Sequence, residues 1–308
     1  MSVSLSEILQ EIQIGAKQID PASIKLKEKE VIIRNIIERK SSIYENEEIK
    51  LKDSSVFRQG SYAIDTAIKH KLYDVDADLG ILFDTSVSED IRIKVFNALD
   101  KEFKEKKPTV TFKKPCIEID FKDGYCVDVA IYSESNGKVL FHNSINGSEN
   151  FDLAKPQDFI AFLQNELAND TRKRKIIRLL KHFNNVAFEK LDINEDNKIP
   201  SIAITLFIIS TNIKSENLDD MVLEGITKFR DYVKVNGING PSLQKFCIGN
   251  TFYKVKDISQ ILTTIDMIYN NVVNCHYSEL ISESVFKRIQ DRKNKKTNPS
   301  IIGTLGNG

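Results

Sequence analysis

The sequence predicts an α+β protein, with helices and strands mixed in its N-terminal half and helices alone in its C-terminal half. In the first half the apolar residues change from helical spacing to strict alternation, which is the period of a strand with one buried face. In the second half they keep helical spacing from about residue 156 to about residue 292. The chain of 308 residues, 41% of them hydrophobic, is long enough for one large domain or two moderate ones.

Two helices are predicted at the start of the chain. Ser4 and Glu7 form a capping-box pattern, and apolar residues at helical spacing follow Ser4. Asp20 and Pro21 are typical of an N-cap and a first helical residue, and they predict a longer helix that ends near Arg39.

Three strands are predicted next. Residues 74–83 read DVDADLGILF, in which every second residue is apolar. A helix from about residue 88 to about residue 106 follows. Residues 116–121 and 125–132 are apolar, β-branched runs joined by Lys-Asp-Gly, a typical hairpin turn.

Residues 133–150 are rich in Ser, Asn and Gly, so we expect a loop and a domain boundary there. The sequence therefore predicts an α+β unit at 1–150, a helical lobe at 151–293 and a flexible tail at 294–308. The helices expected in the lobe are 156–168, 171–188, 200–213, 221–236, 257–274 and 277–292.

Charge, cysteine content and hydropathy disfavour several classes of protein. The 44 basic and 44 acidic residues cancel, so no global positive field favours binding to long nucleic acid. The four cysteines and four histidines are dispersed and lack zinc-ligand spacing. The longest apolar run, 199–209, is too short to cross a bilayer. We therefore expect a cytoplasmic protein, a monomer or weak oligomer, that does not bind membranes.

Carboxylates line one face of the first predicted strand. Asp74, Asp76 and Asp78 alternate, so their side chains project from the same side. A solvated polar face is one interpretation, but Asp is a poor strand former and carboxylates this close repel one another. Asp128 is the acidic residue in the otherwise apolar core of the last predicted strand, with Asp120 as a weaker substitute. Three such carboxylates suit two Mg²⁺ ions, or Mn²⁺ in their place, which stabilise an in-line phosphoryl displacement.

A Gly-Ser pair precedes this strand. Gln59, Gly60 and Ser61 read as a turn that enters a helix, where backbone N–H groups and the serine hydroxyl can meet phosphate oxygens. Gly-Ser alone is usually only a turn. Ahead of an Asp-x-Asp strand and a third Asp on a later strand, it predicts a phosphate-binding turn.

This constellation resembles the polymerase-beta-type nucleotidyltransferase superfamily: Gly60-Ser61, then Asp76 and Asp78, then Asp128. Within that superfamily, FRQGSYAIDTAIKHKLYDVDADLGILF is most similar to the bacterial cGAS/DncV-like nucleotidyltransferases, the CD-NTases. Cyclic GMP-AMP synthase and oligoadenylate synthetase are more distant relatives. The resemblance implies a catalytic core at 1–150 with a mixed β-sheet and an N-terminal spine helix, facing a helical C-terminal lobe.

The pairing of the strand with the family motif leaves two registers open. The catalytic pair is either Asp74 and Asp76 or Asp76 and Asp78. The apolar half of the strand, DADLGILF, is similar to DADLVVFL of oligoadenylate synthetase, and this match favours Asp76 and Asp78.

The resemblance also implies further contacts to the donor triphosphate. RLLKHF around Lys181 is similar to the family's helix whose lysine reaches the triphosphate, although by itself Lys181 also fits a solvated basic face. Ser201 corresponds to a triphosphate-contacting serine, although by itself it also fits a capping role. With Gln59, Gly60 and Ser61, these are the expected nucleotide-binding residues.

The resemblance implies synthesis of a cyclic di- or trinucleotide second messenger from nucleoside triphosphates, ATP among them, in bacterial antiphage (CBASS) signalling. It further implies operon-encoded regulators, or conjugating enzymes that act on the tail ending at Gly308. Two alternatives stay open. The same chemistry could act on an RNA end or a protein hydroxyl, or the chain could be a non-catalytic nucleotide sensor.

Overall fold

The structure, a computed structural model, describes residues 3–14, 21–39, 51–69, 75–84, 90–104, 108–113, 116–135, 138–142, 151–153, 155–194, 197–238 and 257–297. The helices are α1 (Leu5–Ile12), α2 (Pro21–Arg39), α3 (Gly60–Ala63), α4 (Asp90–Phe103), α5 (Pro156–Asn169), α6 (Thr171–Lys190), α7 (Ser201–Ser210), α8 (Leu218–Asn236), α9 (Ile258–Val273), a 3-10 turn (Tyr277–Leu280) and α10 (Glu283–Thr297). The strands are β1 (Leu51–Gln59), β2 (Val75–Phe83), β3 (Thr109–Phe112), β4 (Ile117–Asp120), β5 (Tyr125–Ser135), β6 (Lys138–His142) and β7 (Phe151–Leu153).

The described strands form one mixed sheet in the order β1-β2-β5-β4-β3, with β6 paired to β5 and β7 paired to β6. The central pair, β2 and β5, is parallel, and every other pair is antiparallel. Beyond the sheet the described chain is helical, with α5 to α10 in order. The predicted α+β fold class is therefore confirmed.

One face of the sheet is buried beneath helices. The odd-numbered residues of β2 are all buried, and they share an apolar core with residues of α2, α4 and β5. Alternation along a strand therefore sends the even-numbered residues to the opposite face. That face is where the predicted carboxylates lie.

The first two helices pack in different places. In α1 the predicted capping box is present, because the Ser4 hydroxyl accepts from the Glu7 N–H while the Glu7 carboxylate accepts from the Ser4 N–H. The apolar residues of α1 belong to the core of the C-terminal helices. Glu11 adds ion pairs to Arg288 and Arg292 of α10, which tie the two ends of the chain together. The apolar side of α2 instead packs on the sheet.

Several strands were missed by the sequence pattern. The loop expected at 133–150 is wrong for 133–135 and 138–142, because β5 continues to Ser135 and β6 pairs with it. Backbone hydrogen bonds hold such a pair, and polar residues make them as well as apolar ones. The edge strand β1 also lacks a strong alternation in sequence, and β3 is only four residues long.

The helical lobe departs from the expected bounds near its end. The single helix predicted at 277–292 is divided into the 3-10 turn and α10, and the Ser282 hydroxyl accepts from the Val285 N–H at the start of α10. α10 extends to Thr297, so the predicted flexible tail is wrong for 294–297. Among the described helices, none has both the length and the apolarity that a bilayer span requires.

Candidate active site

The parallel pairing of β2 and β5 brings the predicted carboxylates together. Asp78 lies directly opposite Asp128, and Asp76 lies opposite Cys126. All three aspartates occupy the sheet face that the core does not cover. Asp76 is exposed, whereas Asp78 and Asp128 are partly buried. Asp74 lies outside the described residues, so the alternative register, Asp74 with Asp76, is not described.

The residue after β1 is fitted to Asp78. Gly60 has φ +62°, and a Cβ placed on it would lie 1.9 Å from Asp78 Oδ2. Two features of this position favour glycine. The left-handed backbone disfavours a side chain, and the Asp78 carboxylate leaves no space for one. The predicted phosphate-binding turn therefore touches the predicted metal ligand.

Gln59 pairs with Asp78 on the other side of β2. The Tyr132 hydroxyl donates to Gln59 Oε1 at 2.9 Å. Burial raises the pKa of Tyr132, so its hydroxyl stays protonated and remains a donor. Tyr132, with Leu82 and Ala130, forms a small apolar cluster next to the carboxylates. The hydrogen bond from Tyr132 therefore fixes the orientation of the Gln59 side chain.

Among the described residues, positive charge compensates the carboxylate cluster only in part. Burial and the charges of Asp128 and Asp76 together raise the pKa of Asp78 to about 7, while the charge of Lys181 opposes this shift. Burial also raises the pKa of Asp128. Asp128 Oδ1 is buried and accepts no hydrogen bond from the described residues. Cations bound at this face would offset the repulsion between the carboxylates and give Asp128 Oδ1 a partner.

Lys181 carries the positive charge that opposes the raised pKa of Asp78. It is buried on α6, and its Nζ donates to Thr66 Oγ1 at 3.2 Å. Burial lowers the pKa of Lys181 to about 8, and the negative charge of Asp78 works against that shift. The structure therefore brings Lys181 to the carboxylate cluster, and a solvated basic face is the wrong interpretation for it.

Ser201 is the first residue of α7 and is exposed. The N-cap of α7 is Pro200, so a capping role does not account for the Ser201 hydroxyl. Its contact with a triphosphate stays a prediction.

Sequence reasoning missed the neighbours of Asp128 on β4. Glu118 is the register partner of Asp128, and Lys113 pairs with the Glu118 carboxylate. The ligand atoms of Glu118, Cys126 and Asp128 lie within 4.8 Å of one another. The Cys116 thiol is hydrogen-bonded to Asp128, which lowers the pKa of Asp128 against the larger effect of burial. The alternation Ile-Glu-Ile-Asp in β4 could have placed Glu118 on this face.

Asp120, the predicted substitute ligand, binds Lys122 instead. Its carboxylate accepts from the Lys122 N–H at 2.8 Å and from Lys122 Nζ at 2.5 Å. These two hydrogen bonds lower the pKa of Asp120. Asp120 therefore holds the hairpin turn.

Comparison with known families identifies the part of the chain that carries this face. Residues 54–132 match the family model described as cyclic GMP-AMP synthase DncV-like, nucleotidyltransferase domain. Residues 54–132 are a DncV-like nucleotidyltransferase domain. The DncV-like domain contains Gly60 and all three aspartates on the open face, so the predicted resemblance to the cGAS/DncV-like nucleotidyltransferases is confirmed for residues 54–132.

Solved structures similar to this chain extend beyond the DncV-like domain. The CD-NTase CdnG of Bradyrhizobium diazoefficiens, solved in complex with GTP, has a TM-score of 0.72 and 14% identity, covering 94% of this chain and 98% of that one. The Vibrio cholerae DncV cyclic AMP-GMP synthase, in complex with the linear intermediate 5′ pppA(3′,5′)pG, has a TM-score of 0.58 and 14% identity, covering 79% of this chain and 68% of that one. At such identity these likenesses show the fold, and they confirm the predicted α+β nucleotidyltransferase fold. No curated protein matches the sequence.

Proposed function

We propose that this chain synthesises a cyclic di- or trinucleotide from nucleoside triphosphates by two-metal nucleotidyl transfer. The observation that carries the proposal is the set of Asp76, Asp78 and Asp128 on one open face of the DncV-like domain. The similar structures of CdnG and DncV contain GTP and a linear dinucleotide intermediate, which supports triphosphates as substrates here.

The residues present fit a magnesium site. Carboxylate oxygens are the ligands that Mg²⁺ prefers, and Asp128 Oδ1 is buried without a donor among the described residues. Cys126 does not change this assignment. Burial and the charge of Asp128 raise the pKa of its thiol, and a protonated thiol is a poor ligand for a hard cation.

Asp76 and Asp78 would hold both Mg²⁺ ions, or Mn²⁺ in their place, and Asp128 would hold one. When bound, the ions lower the pKa of an attacking hydroxyl and offset the charge that develops on the phosphoryl oxygens. Asp128 would accept the proton of the attacking ribose hydroxyl. The donor triphosphate is positioned by five residues: Gln59, Gly60, Ser61, Lys181 and Ser201.

A cyclic dinucleotide forms by two displacements of the same kind, and a cyclic trinucleotide needs one further displacement of that kind before the ring closes. The ribose hydroxyl oxygen of one nucleotide forms a bond to the α-phosphorus of another, and the bond to the pyrophosphate leaving group breaks. This first transfer gives a linear product. A second displacement at its own 5′ triphosphate closes the ring, so each ring closure releases one further pyrophosphate.

From the similarity to DncV-like nucleotidyltransferases, we further propose that this activity serves bacterial antiphage (CBASS) signalling in the cytoplasm. Operon-encoded regulators, or conjugating enzymes that act on the tail, would be its partners. Gly308 and the residues from 298 onward lie outside the described residues.

Release of pyrophosphate from triphosphates alone tests the reaction class. The wild-type protein with Mg²⁺ and ATP, alone or mixed with the other triphosphates, is expected to release pyrophosphate without any added acceptor. If release instead requires an RNA or a protein, the chain transfers nucleotides to that acceptor. If triphosphates bind but no pyrophosphate is released under either condition, the chain is a nucleotide sensor.

Asp78→Asn is expected to stabilise the metal-free protein. Because the pKa of Asp78 is raised to about 7 in the folded state, ionising it costs stability, and this cost grows from about pH 4 to about pH 7. Asn removes a penalty on the order of 4 kcal/mol above pH 7. Urea unfolding with a chelator should show a larger gain at about pH 8 than at about pH 5.

Magnesium should reduce or reverse the stability advantage of Asp78→Asn over the wild type. The reason is that binding to the native state stabilises the wild type and not the variant. Asp120→Asn is the matched control. The pKa of Asp120 is lowered, so its replacement should destabilise the protein at the higher pH. If Asp78→Asn and Asp120→Asn shift stability in the same direction, Asp78 does not carry unrelieved charge.

A further inference from the structure

Side chains of the helical lobe hold four consecutive residues directly after the predicted phosphate-binding turn. Residues 63–66 each accept a hydrogen bond from α5 or α6. The contacts are Gln164 Nε2 to the Ala63 carbonyl (2.9 Å), Arg174 Nε to the Ile64 carbonyl (3.4 Å), Arg178 to the Asp65 carbonyl (2.5 Å) and Lys181 Nζ to Thr66 Oγ1 (3.2 Å). Three basic residues of α6 therefore contact the catalytic core: Arg174, Arg178 and Lys181.

Arg178 makes the most constrained of these contacts. Its side chain is 8% exposed, and a second interaction joins it to Asp65 Oδ1 at 3.4 Å. Asp65 has φ +60°, a left-handed conformation that a residue with a side chain adopts at a cost. Arg178 thus holds both the carbonyl and the carboxylate of a strained residue. Such strain persists where surrounding contacts fix it.

The position of Asp65 is transmitted to two predicted nucleotide-binding residues. The Thr66 N–H donates to the Ser61 carbonyl at 2.8 Å, which closes the segment back on the Gly-Ser turn. Thr66 Oγ1 receives the Lys181 ammonium, and Thr66 is fully buried. A displacement of Asp65 therefore moves Ser61 and Lys181 together.

We propose that Arg178 is a positioning residue for the donor triphosphate. It acts through Asp65 and Thr66 to set where Ser61 and Lys181 meet the phosphates. This inference rests on the proposed function, since it assumes that the turn and Lys181 bind a triphosphate. Arg178 itself does not contact substrate, because its guanidinium is buried against the turn.

Steady-state kinetics of Arg178→Gln test the proposal. Loss of the buried contact should misplace the turn and raise KM for the triphosphate about tenfold, with a smaller change in kcat. Arg178→Lys keeps one cationic donor and should give a smaller rise. Lys175→Gln, at an exposed position of the same helix, is the control and should leave KM unchanged.

A purely structural role gives a different result. It would reduce the fraction of active protein, which lowers kcat at an unchanged KM. Asp65→Gly is the second variant if Arg178→Gln does not fold. Glycine accepts the left-handed backbone, so only the carboxylate contact is lost, and KM should rise above that of the wild type by less than about tenfold.

The two proposals fail in distinguishable ways. If the wild type makes no product from triphosphates, the proposed function is wrong. If the wild type is active and KM is unchanged in both Arg178→Gln and Asp65→Gly, the positioning role is overturned and the function stands.

Discussion

Replacing Asp78 by Asn is expected to reduce the rate of nucleotide transfer on the order of 10³-fold. Asp78 lies opposite Asp128 at the centre of the open face, so a neutral amide there removes a ligand shared by both proposed ions. The change in volume is small, and the loss should therefore appear in kcat at saturating Mg²⁺. The measurement is kcat of the wild type and of Asp78→Asn, each on protein whose folded fraction has been determined.

Two matched substitutions make this result specific. Asp120→Asn changes the same residue type on β4, which pairs with β5 and not with β2. Lys122 already binds the Asp120 carboxylate, so this variant should keep nearly full activity. Asp74→Asn tests the alternative register. If Asp74→Asn abolishes transfer while Asp78→Asn does not, the catalytic pair is Asp74 and Asp76. Loss in Asp76→Asn is expected in either register.

Gly60→Ala is expected to lower activity about 100-fold, because its methyl group would displace the Asp78 carboxylate by roughly an ångström or more. The left-handed backbone adds strain of about 1–2 kcal/mol. Initial rates over a range of Mg²⁺ concentrations should show a raised metal requirement together with a lower maximum. Thermal unfolding of the same preparation separates this effect from loss of fold.

Gly237→Ala is the control for backbone strain. Gly237 has φ +66°, and a Cβ there would meet only Ile258 Cδ1 at 3.3 Å, at the end of α8. It should lose stability comparable to Gly60→Ala and keep its activity. Equal activities of the two variants would contradict a role of Gly60 at the carboxylate face.

The sequence was sufficient to predict the central strand and the face on which its aspartates lie. Alternation in β2 placed Asp76 and Asp78 on one face without any tertiary information, because a strand has a fixed period of two. Asp128 was recognised as the acidic residue of an apolar strand. Its position opposite Asp78, however, depends on the parallel register of β2 and β5, which is set by tertiary packing.

Other features depend on contacts far apart in the chain. β1 has a polar sequence and becomes a strand because β2 offers it a partner. The stripe of Arg174, Arg178 and Lys181 fits a solvated helix face by its spacing. More than 100 residues separate it from the segment it holds, and a helical pattern carries no information on its partner.

Chromatography and mass spectrometry of the products made from the four nucleoside triphosphates with Mg²⁺ or Mn²⁺ test the central claim most directly. We expect a phosphatase-resistant product with the mass of a cyclic di- or trinucleotide, together with a minor linear intermediate that phosphatase trims. The product should be absent when Asp76 and Asp78 are both replaced by Asn. Products that remain entirely phosphatase-sensitive, or full synthesis by the double variant, would contradict the proposed function.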